Sequence, residues 1–310
     1  MNPIPFSKYQ GLGNDFILID AFDSPGMAGF DWRSAAPTLC NRRLGIGADG
    51  ILVMSPPESH AADLRIHIIN ADGSAAQLCG NGIRCVAAYM ATRRQWSRPD
   101  LLIHTDAGVV HIRWASGATA TTGITVNMGV PRLAAADIPV LTTLDQVVNV
   151  PLAALDIGDG SVAQASESLA SHCPDHKPHL TCVSFGNPHA VFFVNDPATV
   201  PLEALGPVIE KLPIFPQRIN VHVAAVRSRR AGVMRAWERG SGLTQACGSG
   251  ACAVLVAGVL TGLFDDHVEM TLPGGVLDLT WQKAVSADRP TGVFMSGPAV
   301  EVYRGECTLG

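Results

Sequence analysis

Gln77-Leu-Cys79-Gly80-Asn81-Gly82-Ile-Arg84-Cys-Val86 decides the reading of this chain, because a degenerate copy follows 168 positions later (79 to 247) as Gln245-Ala-Cys247-Gly248-Ser249-Gly250-Ala-Cys-Ala-Val254. The register runs without gaps over Leu64–Met90 against Gly232–Gly258. Upstream, Gly13-Asn14-Asp15-Phe16 with its apolar run matches Gly186-Asn187-Pro188-His189 with Ala190-Val-Phe-Phe. Downstream, Ala107-Gly108-Val109-Val110 matches Gly274-Gly275-Val276-Leu277. Three landmarks in one order describe a repeated unit rather than coincident glycine turns.

Short runs rich in Ile, Leu and Val, bounded by Gly, Asn, Asp or Pro, read as strands at Phe16–Asp20, Ile51–Met54 and Leu64–Ile69. Ile83–Arg94 and Ala251–Leu263 are longer runs of apolar and small residues behind the glycine turns, and read as buried helices. The expectation is an α+β chain of two pseudo-symmetric domains, each with many strands around a central helix that carries a cysteine at its N-terminus. Two such halves facing each other would bring both cysteine turns to a shared cleft. Leu133 to Pro178 breaks the repeat and is expected to hold surface strands and a connection. Its His172, Cys173, His176 and His179 sit among prolines without a second cysteine pair, so they read as a loop and no metal is expected.

With 310 residues, 47% hydrophobic and 16% charged, the chain is long enough for two packed domains and too apolar for disorder. A formal net charge of −5 without a basic stripe gives no electrostatic support for nucleic acid or an anionic membrane. The run Ala253 to Phe264 falls short of the roughly 20 residues a membrane span needs. Met1 to Gln10 has no export pattern, so a cytoplasmic location with reduced thiols is expected.

A cysteine followed by Gly-X-Gly at a helix start has two physical consequences. The free N–H groups and the helix dipole favour thiolate over thiol, and the glycines let the backbone approach a carboxylate. Two such turns narrow the chemistry. Inverting a stereocentre by proton transfer needs a base on one face of the carbon and an acid on the other, and two thiols can exchange those roles. Cys40, Cys85, Cys173, Cys182, Cys252 and Cys307 read as inert packing thiols.

Asn70-Ala-Asp-Gly-Ser-Ala-Ala-Gln-Leu-Cys79-Gly-Asn-Gly-Ile-Arg84 resembles a signature of the diaminopimelate epimerases, which work without pyridoxal phosphate. Glu238-Arg239-Gly-Ser-Gly-Leu-Thr-Gln-Ala-Cys247-Gly-Ser-Gly resembles their other cysteine motif. Gly11-Leu-Gly-Asn14-Asp-Phe, Gly186-Asn187-Pro-His189 and Arg218-Ile-Asn220-Val complete the set in the family's order. The resemblance implies a mostly antiparallel, barrel-like sheet around each central helix, with domains at 1–123 plus 293–310 and at 124–292. It implies Cys79 and Cys247 as the base and acid pair, with His189 near Cys79 and Glu238 near Cys247. The backbones of Gly80-Asn81 and Gly248-Ser249 would hold the reacting carboxylate. Asn14, Asn70, Asn187, Asn220, Glu238 and Arg239 would bind the rest of a small amino-acid substrate. No cofactor and a homodimer are further implications.

Gly50 departs from the pattern, since some members carry a substrate-contacting glutamine there. Two relatives by fold are alternatives. Proline racemases and hydroxyproline epimerases typically have His and Thr where this chain has Asn81 and Ser249, and phenazine-type isomerases lack the cysteine pair. From a different class, a non-catalytic redox-sensing thiol protein would readily form a disulfide between the two cysteines.

Overall fold

The computed structural model describes residues 3–22, 25–57, 60–115, 117, 119–283 and 291–308, so the ends of the first expected domain, at residues 1–2 and 309–310, lie outside it. The chain divides into one unit of Met1–Asn127 with Ser296–Gly310 and a second of Met128–Met295. Period-two patterning builds both. In Leu64–Asn70 the side chains of Leu64, Ile66 and Ile68 are buried, while Arg65 and His67 are only partly covered. In His267–Leu272, Val268, Met270 and Leu272 are buried and the residues between them are exposed. Such alternation suits a sheet with one face on a core.

In the first unit, Ile4–Gly11 pairs antiparallel with Asn14–Asp20 and with Val300–Cys307. Asn14–Asp20 runs parallel to Gly50–Ser55, with Phe16 beside Gly50, and Gly50 in turn lies opposite Asn70 in the antiparallel strand Leu64–Asn70. Leu64–Asn70 lies parallel to Asp100–Thr105, which forms a hairpin with Gly108–Trp114. The second unit repeats this order. His179–Ser184 pairs antiparallel with Pro188–Phe193, which is parallel to Asn220–Ser228 with His189 beside Asn220. Asn220–Ser228 is antiparallel to Ala231–Glu238, that strand is parallel to His267–Leu272, and a hairpin to Gly275–Gln282 follows. By register, Gly50 and Asn220 are equivalent positions, as are Asn70 and Glu238.

Each unit has one long buried helix. Gly80–Thr92 and Gly248–Leu260 are 13 residues each, and every residue from Ala251 to Ala257 is fully buried. A helix apolar all round belongs inside a core. Both helices start three residues earlier than their apolar runs suggest, because Gly80 and Gly248 already have helical backbone and the cysteine itself is the N-cap.

The segment 133–178 differs from the expectation of surface strands. It holds a helix, Ser161–Ala170, and only a two-residue strand, Val150–Pro151. Val162, Ala165, Ser166 and Leu169 form the buried stripe of that helix, at helical spacing. With Ile138, Val147, Leu152 and Leu155 they complete the core of the second unit.

Candidate active site

Cys79 occupies the extended N-cap position, with φ −141° and ψ 106°, and its Sγ accepts the N–H of Gly82 at 3.5 Å. A sulfur here does what serine or aspartate ordinarily does for a helix start. A two-residue turn with positive φ at Leu12 and Gly13 brings Asn14 to the same place. Asn14 Oδ1 lies 3.8 Å from Cys79 Sγ and accepts from Asn81 Nδ2 at 3.2 Å, while its Nδ2 donates to Asp49 at 2.8 Å. Asn70 ends its strand and donates to Ser74 Oγ at 2.9 Å.

Sequence reasoning gave no role to Arg84, which is fully buried. Its guanidinium donates to Asn81 Oδ1 at 2.7 Å and so fixes that amide. The signal was available: an arginine inside an apolar helical run needs a buried partner. Asp15, beside Asn14, is paired with Lys8 and Arg42. Burial works against its charge, but those two cations outweigh it and hold the carboxyl at about 2. A pocket of about 530 Å³ beside this cluster is lined by Lys8, Asp15 and Arg42 among others; the Cys79 turn does not line it.

In the second unit Cys247 is the N-cap of its helix and is buried. Its thiol is pushed well above the ordinary cysteine value by burial first, then by the charge and hydrogen bond of Glu238. The Gly250 amide and the Ser249 hydroxyl pull the other way but do not prevail. The amide is not placed for a full capping hydrogen bond. Ser249 Oγ lies 3.9 Å from the sulfur and accepts from Asn187 Nδ2 at 3.2 Å. Glu238 is braced by Thr244 Oγ1 at 2.6 Å. Asn187 and Ser249 thus occupy the positions of Asn14 and Asn81 around the other cysteine, but here the helix residue Ser249, and not the asparagine, meets the sulfur, and the hydrogen bond between the pair runs the other way.

His189 is fully buried between Asn187 Oδ1 at 3.0 Å and His222 Nε2 at 2.9 Å. Burial, then the neighbouring His222 and Arg239, holds it well below the usual histidine range. Asn220 receives the backbone N–H of Arg239 at 2.8 Å, and the exposed Arg239 side chain donates to the Gln217 carbonyl at 2.8 Å. The structure therefore groups Cys79 with Asn14, Gly80 and Asn81, and Cys247 with Asn187, Glu238, Gly248 and Ser249. His222 was missed by sequence reasoning.

Of the remaining cysteines, Cys40, Cys85, Cys173, Cys182 and Cys252 are buried and Cys307 is half-buried. Burial raises Cys40 and Cys173 to about 11. Among the described residues, no three His, Cys, Asp or Glu side chains group as a metal would need, and no helix is long and apolar enough to cross a membrane.

Two solved structures share the fold over nearly the whole chain. A phenazine biosynthesis protein of the PhzF family from Bacillus anthracis has a TM-score of 0.66 at 16% identity and covers 100% of both chains. A hydroxyproline epimerase from Agrobacterium vitis has a TM-score of 0.66 at 14% identity, covering 99% of this chain and 91% of its own. Sequence relatives are far nearer. A diaminopimelate epimerase of Halothermothrix orenii is 41% identical over 308 residues, 99% of this chain and 98% of its own. Diaminopimelate epimerase 1 of a Nostoc species is 42% identical over 307 residues, 98% of this chain and 99% of its own. The family model for diaminopimelate epimerase matches residues 6–134 and 181–302, which leaves out most of the helix-bearing segment described above. The chain belongs to the diaminopimelate epimerase family of isomerases.

Proposed function

We propose that this protein interconverts LL-2,6-diaminopimelate and meso-diaminopimelate, a step of lysine and peptidoglycan precursor synthesis, by two-thiol proton transfer at the α-carbon. The observation that carries the reading is the pair of cysteine N-caps on equivalent helices, each with its own polar neighbours, in a chain about 40% identical to named diaminopimelate epimerases.

An amino-acid α-proton is very weakly acidic, so removing it needs stabilisation of the carbanion-like transition state. The N–H groups at a helix N-terminus supply that for a carboxylate, and Gly80-Asn81 and Gly248-Ser249 are the residues that present them. Burial and the Glu238 carboxylate favour Cys247 as the thiol that holds its proton at rest. Cys79 is then the base for one isomer, and the roles exchange for the other. His189 is proposed to stand near Cys79, with its ring held by Asn187 and His222. Asn14, Asn70, Asn187 and Asn220 bind the zwitterionic groups with amides that both donate and accept. Arg239, whose guanidinium is exposed, takes the distal carboxylate with its planar fork. Family membership supports a cofactor-independent cytoplasmic homodimer, and sedimentation equilibrium would check the dimer.

Cys79→Ala and Cys247→Ala each remove one proton carrier, and each is expected to lower epimerisation by at least ~10³-fold, measured as meso isomer formed from the LL isomer. Turnover of proline by the wild-type protein, with none of diaminopimelate, would overturn the substrate assignment.

A further inference from the structure

Asn220 fixes the polarity of a buried hydrogen-bond chain that ends at Cys247. Its Oδ1 accepts the backbone N–H of Arg239 at 2.8 Å and its Nδ2 donates to the Pro188 carbonyl at 2.9 Å, so its amide has one orientation. The same Nδ2 faces His189 Nδ1 at 3.5 Å, and that nitrogen therefore presents a lone pair. A neutral imidazole with a bare Nδ1 carries its proton on Nε2. His189 Nε2 then donates to Asn187 Oδ1 at 3.0 Å, and Asn187 Nδ2 donates to Ser249 Oγ at 3.2 Å. The hydroxyl hydrogen of Ser249 is left for Cys247 Sγ, 3.9 Å away.

The chain starts at His222, a residue with no part in the site as read from sequence. It stands two places beyond Asn220 on the same strand, beside Val191, and is fully buried. Its Nε2 lies 2.9 Å from the bare Nδ1 of His189, so it is the N–H donor of that pair. Its own Nδ1 then holds a buried lone pair without a partner. The opposite polarity would bury an unpaired N–H there and would set two donors against each other at His189 and Asn220. A second contact ties His222 to the same turn. A Cβ on Gly250 would fall 2.3 Å from His222 Cε1, so the ring edge lies directly against the glycine three residues after Cys247.

We propose that His222 is a positioning residue: it holds His189 in the Nε2–H tautomer and thereby aims the Ser249 hydroxyl at Cys247. Two groups act on the thiol in opposite senses. Glu238 stabilises the protonated form, and the Ser249 hydroxyl stabilises the thiolate left after the proton has been delivered. Burial first, then the neighbouring His222 and Arg239, keep His189 neutral, and burial keeps His222 neutral. The catalytic consequence rests on the two-thiol reading above; the tautomer does not.

Two measurements test the proposal. In ¹⁵N-histidine-labelled wild-type protein at pH 7.5, both rings should show a protonated Nε2 and a bare Nδ1. A His189 that carries its proton on Nδ1 would overturn the inference whether or not any variant folds. In kinetics, His222→Leu should lower kcat/KM roughly tenfold, the effect of one hydrogen bond. It should also move the acidic limb of the pH profile upward in the direction where Cys247 is the base. His222→Gln, whose amide can still donate, should retain most of the activity and the wild-type limb. Equal losses in both variants with an unmoved limb would show that the ring only fills space. Wild-type protein that leaves diaminopimelate unchanged would instead overturn the two-thiol reading itself.

Discussion

Gly50 shows how a single position can be settled by backbone rather than by substrate. A Cβ there would lie 2.5 Å from the Ile69 carbonyl oxygen, and Gly50 is paired opposite Asn70 at the point where the strand reaches the site. Gly50→Gln in this chain is therefore expected to cost about 1–3 kcal/mol of stability, seen as a lowered denaturant midpoint, instead of restoring a contact. A midpoint equal to wild type would show that the two strands separate without cost. The cysteines make the opposite case, since their identity was legible in sequence as equivalent positions of a repeat. Their unlike surroundings were not. Asn81 is locked by a buried Arg84, whereas Ser249 takes its hydrogen bond from Asn187, and only distances reveal that.

The two helices behind the cysteines were readable from their apolar runs, and their starting points were not. Glycine is a poor helix former, so Gly80 and Gly248 read as turn until the structure shows the preceding cysteine as the cap. Gly258, further along the second helix, has its own reason. A Cβ there would meet the Phe264 ring at 2.1 Å. Gly258→Ala gains about 1 kcal/mol of helix propensity but forces that ring out of its place, at about 1–3 kcal/mol. The overpacking should win, and a rise in melting temperature would show that Phe264 relaxes freely. The helix Ser161–Ala170 was misread because Ser, Asp and Pro dominate its surroundings. Its stripe of Val162, Ala165 and Leu169 has the helical period, but the loop composition on either side hid it.

For the whole molecule, the repeat in sequence became a repeat in strand order: antiparallel, parallel, antiparallel, parallel, hairpin in each unit. The parallel pairings had no sequence signal, because they join strands far apart in the chain and depend on tertiary packing. The buried histidines weaken the fold as pH falls. His222 titrates at about 3 when folded, through burial, and His189 is also held well below its ordinary 6.5. Between those values the unfolded chain binds protons that the folded chain refuses. Stability from this source is complete above about pH 6.5 and falls as pH drops, by up to about 1.4 kcal/mol per pH unit for each histidine. Urea midpoints at pH 7.5 and 5.5 should differ accordingly, and His222→Gln should flatten the difference; identical midpoints would contradict neutral burial of the two rings.

We propose that two thiols move a proton on and off the α-carbon of diaminopimelate. Incubating the reduced protein with LL-diaminopimelate in heavy water, and following the α-proton by NMR, tests it most directly. Deuterium should enter the α-position as the meso isomer appears, and formation of the meso isomer should vanish in Cys79→Ala and in Cys247→Ala. Meso isomer that forms without deuterium, or undiminished meso formation in either variant, would contradict proton transfer by two thiols.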